Sequence, residues 1–283
     1  MDRPVTRYST PRAFLDGAGP FLLRAEVENN LILGITADLA DDPAGLISNP
    51  YFATMSSAEG VSMAAFQTLP GRMAITRETD PEAVTALCED VQEAGLVIDA
   101  ILGPDPTVER FAGAIAAARN SSAQRHMRQR IHELTAVESL PRLPSGRLRQ
   151  ARLEDSALVA EWLTTFQVEI GEPAPVSRTV AHRIDAGELY LWDDNGPRSM
   201  AGWSGKTSHG IRVNAVYTPR ELRGRGYATA TVAALSQLLL NQGNRFCCLY
   251  TDLANPTSNA IYKRIGYNPV SDASVYLVVR RET

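Results

Sequence analysis

The most regular hydrophobic pattern lies in the second half of the chain. Leu158, Val159, Trp162, Leu163 and Phe166 recur at helical spacing after Asp155, a helix-capping residue type, and Gly171 closes the run. Ser177 opens a second helix that ends near Gly187. Strands are predicted at Arg147–Leu153, Glu188–Asp193, Arg198–Lys206, Ile211–Thr218, Phe246–Thr251 and Ser274–Val279, with Asp194-Asn-Gly196 as a hairpin turn. A stripe of Ala228, Val232, Leu235 and Leu239 marks a helix that stops at Gly243, and Ser258 to Ile265 forms another. The order is β-α-α-β-β-β-α-β-α-β, a mixed α/β layer fold.

The first half carries a weaker version. Pro20 to Leu39 reads as a helix with Pro20 in its first turn. Strands are predicted at Tyr51–Ser56, Val61–Thr68, Arg72–Thr76, Val97–Leu102 and Met127–Leu134, and helices at Pro81–Ala94 and Val108–Arg119. The sequence shows no residue-level repeat, yet the order of elements suggests a structural duplication. Glu138-Ser-Leu-Pro-Arg-Leu-Pro-Ser-Gly146 can continue neither a helix nor a central strand. The predicted division is therefore 1–138, a linker at 139–146, and 147–283.

Size agrees with two domains: the chain has 283 residues, against about 100–200 per domain. A formal charge of −4 gives no global reason to expect nucleic acid or an anionic membrane as partner. Cys88, Cys247 and Cys248 have neither disulfide-framework nor zinc-site spacing, so no metal is expected. The N-terminus has no apolar leader core and no run is long enough to span a bilayer, so the expected location is cytoplasmic.

The chemistry concentrates in Val213-Asn-Ala-Val-Tyr-Thr-Pro219 and Glu221-Leu-Arg-Gly-Arg-Gly-Tyr-Ala-Thr229. A strand ends, a glycine turn follows and a helix begins, so free N–H groups and the helix dipole converge on one spot suited to a pyrophosphate. Thr229 stands where the dinucleotide fingerprint needs glycine, and no P-loop lysine follows. Arg223-Gly-Arg-Gly-Tyr-Ala228 instead resembles the Arg/Gln-x-x-Gly-x-Gly/Ala signature of the GNAT superfamily, the acyl-CoA-dependent N-acetyltransferases. Asn255-Pro-Thr-Ser-Asn-Ala-Ile-Tyr-Lys-Arg-Ile-Gly-Tyr267 is similar to that family's second signature, and the likeness spans the C-terminal half.

The resemblance implies a mostly antiparallel mixed sheet flanked by helices, in two tandem GNAT-like lobes. It also implies acetyl-CoA as co-substrate. Backbone groups of Val216 and Thr218 would pair with the pantetheine arm, and those of Arg223, Gly224, Arg225, Gly226, Tyr227 and Ala228 would hold the pyrophosphate. Asn255 would bind the pantetheine or position the next helix, with Asn259 beside it in the cofactor set. Tyr262 would stand at the thioester sulfur as general acid, since an expelled thiolate needs a proton. Glu169 is the candidate general base, with His182, His209 and Asn214 as alternatives; Phe166, Tyr190 and Trp192 could line the acceptor pocket or pack the core.

At the matching junction of the first half, Ala74-Ile-Thr-Arg-Glu-Thr-Asp-Pro-Glu82, acids replace glycines and would repel a pyrophosphate. That lobe is read as degenerate. Glu26-Val-Glu-Asn-Asn30 is a polar patch on the first helix, either solvated or facing an acceptor groove. His126, Arg128, Arg130 and His132 share one face of a strand, fit either for an acidic substrate or the 3′-phosphate of CoA, or for solvation or ion pairs between the lobes. The resulting expectation is transfer of an acetyl group from acetyl-CoA to a primary amine, with a homodimer as a further candidate assembly. A non-catalytic acyl-CoA sensor or scaffold is the competing reading.

Overall fold

The computed structural model describes residues 5–42, 49–171 and 180–280. It divides into two compact units, one of Met1–Ile131, Thr251–Ala254 and Val270–Thr283, the other of His132–Tyr250 and Asn255–Pro269. The units part at Ile131/His132, upstream of the 139–146 segment, and the C-terminal strand joins the first unit.

The first unit contains β1 (Val5–Arg7), α1 (Pro11–Leu22), α2 (Asn30–Asp41), β2 (Tyr51–Ser57), β3 (Gly60–Leu69), β4 (Gly71–Ile75), α3 (Glu82–Glu93), β5 (Ile98–Pro104), α4 (Thr107–Ala118) and most of β6 (Ser121–Leu134). Its strands follow the order β1-β2-β3-β4-β5-β12-β6, where β12 is the C-terminal strand Asn268–Arg280. Alternation along β2 and β3 feeds two cores. Tyr51, Ala53, Met55, Met63 and Ala65 pack on α3 and α4, whereas Phe52, Ala64 and Phe66 pack on α1 and α2.

Two expectations change here. The first helix begins at Pro11, where Thr10 Oγ1 accepts from Ala13 N–H at 3.1 Å, so Pro20 lies inside α1 near its end. The polar patch then interrupts the predicted helix. Buried Asn29 donates to the Leu22 carbonyl at 2.9 Å and Asn30 to that of Val27 at 2.6 Å, while Glu28 pairs with Arg77 at 2.9 Å. Those side chains serve a helix break, because buried amides need such partners. On β6, Arg130 and Arg128 reach Asp272 at 2.6 and 3.7 Å, ion pairs within the first unit and not between lobes.

β12 is also longer than expected. It pairs antiparallel with β5 from Ala273/Pro104 to Leu277/Ala100, in the place that element order assigns to β6. Nothing in its own pattern reveals that partner.

The second unit contains β7 (Arg147–Gln150), α5 (Ser156–Ile170), α6 (Val180–Asp185), β8 (Leu189–Asp193), β9 (Pro197–Ser204), β10 (Gly210–Tyr217), α7 (Tyr227–Asn241), most of β11 (Phe246–Asp252) and α8 (Pro256–Ile265). Its strand order is β11-β10-β9-β8-β7, with β10 and β11 parallel and the other pairs antiparallel. α5 and α6 cover one face of the sheet, α7 and α8 the other. The predicted start of α6 at Ser177, like the first four residues of the N-terminal segment, lies outside the described residues.

Asp155 does not cap α5 as expected. Its carboxylate accepts from Arg152 N–H at 2.8 Å and from both terminal nitrogens of Arg149, at 2.7 and 2.9 Å. Arg149 Nε also donates to Asp193 at 2.7 Å, so one guanidinium ties β7, the end of β8 and the entry to α5 together.

Arg149→Met should therefore lower stability by about 2 kcal/mol, since it leaves a largely buried carboxylate without its cation. The hydrogen bonds from Arg149 hold the Asp155 carboxyl below the ordinary range. A depressed folded value contributes stability above the unfolded pKa of about 3.9, which is lost as pH falls through the folded one. Urea titrations across acidic pH should show the gap between wild type and variant closing, and a constant gap would refute this.

Candidate functional site

The parallel pairing of β10 and β11 covers Gly210/Phe246, Ile211/Cys247 and Arg212/Cys248, then stops, although β10 continues to Tyr217 and β11 to Asp252. On its other side β10 leaves register with β9 between Asn214 and Tyr217, where Ala215 has φ of +50°. A non-glycine residue in that region marks a bulge that turns backbone groups out of the ladder. From Val213 to Tyr217, β10 thus presents an edge that β11 does not claim. Such an edge accepts an extended chain as an added strand.

The loop after β10 leads into α7. Gly224 and Gly226 have φ of +77° and +85°. A Cβ on Gly224 would meet nothing within 4 Å, and one on Gly226 only Pro144 Cδ at 3.6 Å, so conformation rather than crowding requires these glycines. α7 begins at Tyr227 with no side chain capping it. Its first N–H groups remain available to an anion, with the helix dipole in support.

Both flanks of the glycine segment are anchored. Arg223 Nε donates to the Thr218 carbonyl at 2.8 Å, its Nη2 reaches Glu169 at 2.7 Å, and its guanidinium lies 5.7 Å from the Tyr217 ring centroid. Thr218 Oγ1 bonds Ser199 Oγ at 2.9 Å, and Arg225 donates to the Glu221 carbonyl at 3.2 Å. On the far side Tyr227 OH donates to Asp194 at 2.9 Å, and Asp194 also accepts from Ser145 at 2.9 Å. Ala228 lies in the first turn of α7.

α8 begins with Asn255 accepting from Ser258 N–H at 3.1 Å, and Asn259 donates to the Asn255 carbonyl at 2.9 Å. Asn255 thus positions the helix. Tyr262 is buried, edge-on to Tyr267 with ring centroids 5.8 Å apart, and Tyr267 OH bonds Ser236 at 2.8 Å. Burial pushes the Tyr262 phenol up to about 12. Gly266, at φ of +111°, ends α8 where a Cβ would come within 2.9 Å of Glu138 Cγ. The Gly-Tyr of the second signature is thereby explained by packing.

The β10 edge, the glycine loop and α8 belong to one unit, whereas the candidate bases scatter. Glu169 stands at the loop between Arg220 Nε, at 3.0 Å, and Arg223. His209 precedes β10, six residues before Ala215 and about 20 Å along the strand. His182 is exposed on α6. Asn214 accepts from Arg183 at 3.2 Å and donates to Ser204 at 2.6 Å. Phe166, Tyr190 and Trp192 pack into apolar clusters, the core alternative for each.

The corresponding positions of the first unit are closed. β4 and β5 stay paired to Ala74/Leu102, one residue short of the end of β4, and a Cβ on Gly103 would lie 2.5 Å from Ile75 Cγ1. Asp80 accepts from Glu82 N–H at 3.1 Å at the start of α3, and Glu78 takes up the Thr107 hydroxyl and Arg110. The chain's own carboxylates occupy the helix starts. Asp105-Pro106-Thr107 follows β5 and Asn255-Pro256-Thr257 follows β11, but α4 takes Pro106 as its N-cap where α8 takes Asn255. At the interval separating Asn255 from Tyr262, the first unit has buried Ala112.

Among the described residues, no group of His, Cys, Asp and Glu could hold a metal ion, and no helix is long and apolar enough to cross a membrane. Residues 191–277 match the family model described as FR47-like protein. No curated protein matches the sequence at a significant level. A Drosophila protein of known structure superposes with a TM-score of 0.71 at 15% identity, over 99% of this chain and 100% of its own. A GCN5-related N-acetyltransferase from Sphaerobacter thermophilus gives 0.63 at 14% identity, over 98% and 96%. A tandem GNAT protein from the clavulanic acid biosynthesis pathway gives 0.57 at 12%, over 100% of both chains. At these identities the likeness is one of fold. The chain thus shares the fold of GNAT proteins along its length, with the FR47-like pattern confined to residues 191–277.

Proposed function

We propose that the second unit binds acetyl-CoA and transfers its acetyl group to the primary amine of a small molecule. The observation that carries this reading is the parting of β10 from β11 beside a bulge and an uncapped, glycine-led helix. The first unit, with the same elements, keeps the equivalent strands zipped.

Acetyl-CoA, when bound, supplies the activated thioester. The edge of β10 from Val213 to Tyr217 pairs with the pantetheine arm, and the N–H groups of Gly224 to Ala228 hold the pyrophosphate. Val216 N–H, just beyond the bulge, donates to the carbonyl oxygen as it gains charge. Tyr262 faces the sulfur from α8. Its raised pKa keeps the phenol protonated across the physiological range. A thiol near 8.5 is the stronger acid, so Tyr262 donates a strong hydrogen bond to the departing thiolate, and as the C–N bond forms and the C–S bond breaks the proton lost by the amine ends on that sulfur.

Calorimetry with CoA should therefore give one site per chain, and two equivalent sites would sink this assignment. Gly226→Glu should abolish CoA binding in a folded protein, because its carboxylate would fill the anion position and the left-handed φ resists any side chain. Wild-type CoA affinity in a folded variant would remove the pyrophosphate from this loop. Tyr262→Phe should leave CoA affinity near wild type and lower kcat about 10- to 100-fold against a panel of amines. The wild-type kcat profile should show no basic limb from Tyr262 below about pH 11. Unchanged kcat, with chemistry rate-limiting, would make Tyr262 a packing residue and the chain an acyl-CoA-binding module.

A further inference from the structure

We infer that Glu169 is a positioning residue for the pyrophosphate loop and not the base that takes the proton of the amine. The inference rests on the acetyl-CoA reading above and assigns this carboxylate a different part in it.

Glu169 is the penultimate residue of α5, which Gly171 ends at φ of +67°. A carboxylate there meets the negative end of the helix dipole, an unfavourable place for an uncompensated anion. Two cations offset it. Oε1 accepts from Arg220 Nε at 3.0 Å and Oε2 from Arg223 Nη2 at 2.7 Å.

Arg223 is the residue that opens the glycine segment, and its remaining contacts run to the end of β10. Through Nε it holds the Thr218 carbonyl, and its plane lies over the Tyr217 ring. Glu169 therefore completes a knot of α5, the end of β10 and the loop. Tyr227 and Asp194 fix the other side of the same segment. Between these anchors stand two glycines with positive φ, a sequence with little stiffness of its own. Holding both ends orders the N–H groups before the ligand arrives, and the ordering entropy is then not charged to binding.

The same contacts disqualify Glu169 as base. A base needs an accessible lone pair and a pKa near the working pH. Both carboxylate oxygens are engaged. Burial acts to raise the carboxyl, but the hydrogen bonds from Arg223 and Arg220 outweigh it, and the net direction is downward.

Glu169→Gln keeps the shape and removes the charge. It also removes a negative charge near an anion site, which by itself would tighten CoA binding at low salt. The measurement belongs at about 0.5 M salt, where such through-solvent effects are screened within a few ångströms. The dissociation constant for CoA, by calorimetry, and KM for acetyl-CoA should rise about five-fold, within the range of two exposed ion pairs. kcat should stay within about two-fold and the shape of the pH–rate profile should be preserved. A fall in kcat with KM unchanged and the acid limb lost would restore the base role. CoA binding equal to or tighter than wild type at high salt would reduce the knot to ordinary surface pairing. Wild-type protein that binds no CoA would instead sink the reading on which this inference rests.

Discussion

The constraint on which the second unit depends is that two parallel strands pair where they begin and part where they end. Three residue pairs, Gly210/Phe246 to Arg212/Cys248, hold the sheet together. Beyond them β10 continues with backbone groups that no neighbouring strand of that side satisfies. Unpaired backbone groups are costly unless water or a ligand meets them, so such an edge is an invitation to a partner with strand-like chemistry. The bulge at Ala215 supports the parting from the opposite side, by loosening the register with β9 where freedom is needed. The first unit shows the alternative outcome of the same element order. There β4 and β5 pair almost to the end of β4, with Gly103 lying close against Ile75.

Electrostatics at the helix starts separates the units in the same sense. Net charge says nothing here, because the total of −4 is spread over the whole chain. What matters is who occupies the first turn. At α3 the chain's own Asp80 accepts the Glu82 N–H, and Glu78 engages Thr107 and Arg110 at α4. At α7 no side chain caps the start, and the nearby arginines are drawn aside, Arg223 to Glu169 and Arg225 to the Glu221 carbonyl. The result is a helix start whose backbone N–H groups no side chain caps, the arrangement on which the pyrophosphate proposal rests.

Much of this was legible in the sequence because it is local. Helical stripes, closing glycines and the Asn-Gly turn are written over spans shorter than an element, and they placed most elements of both units within a few residues. The glycine loop and Tyr262 were visible as motifs, and the structure brings their elements together in one unit. The unreadable features are those decided by a distant partner. β12 pairs with β5 by completing a sheet, not by any property of residues 268–280 alone. Asn29 and Asn30 look like a solvated face until their amides find the carbonyls of Leu22 and Val27. Glu169 looks like a free carboxylate until Arg220 and Arg223 reach it from the next loop.

Packing also sets the chemistry available to Tyr262. Its ring sits edge-on to Tyr267, which is itself fixed by Ser236, and Gly266 lets the chain turn tightly against residues 136–138. These contacts hold the ring in the core, and the resulting desolvation raises the phenol well above a thiol. A phenol so placed stays protonated under physiological conditions. In the acetyl transfer we propose, it would serve as a fixed dipole aimed at the developing charge. The α7 start follows the same logic at the other end of the β10 edge. In both places side chains fix the groups in advance: Glu169 and Arg223 brace the loop before α7, and Tyr267 packs against the ring of Tyr262.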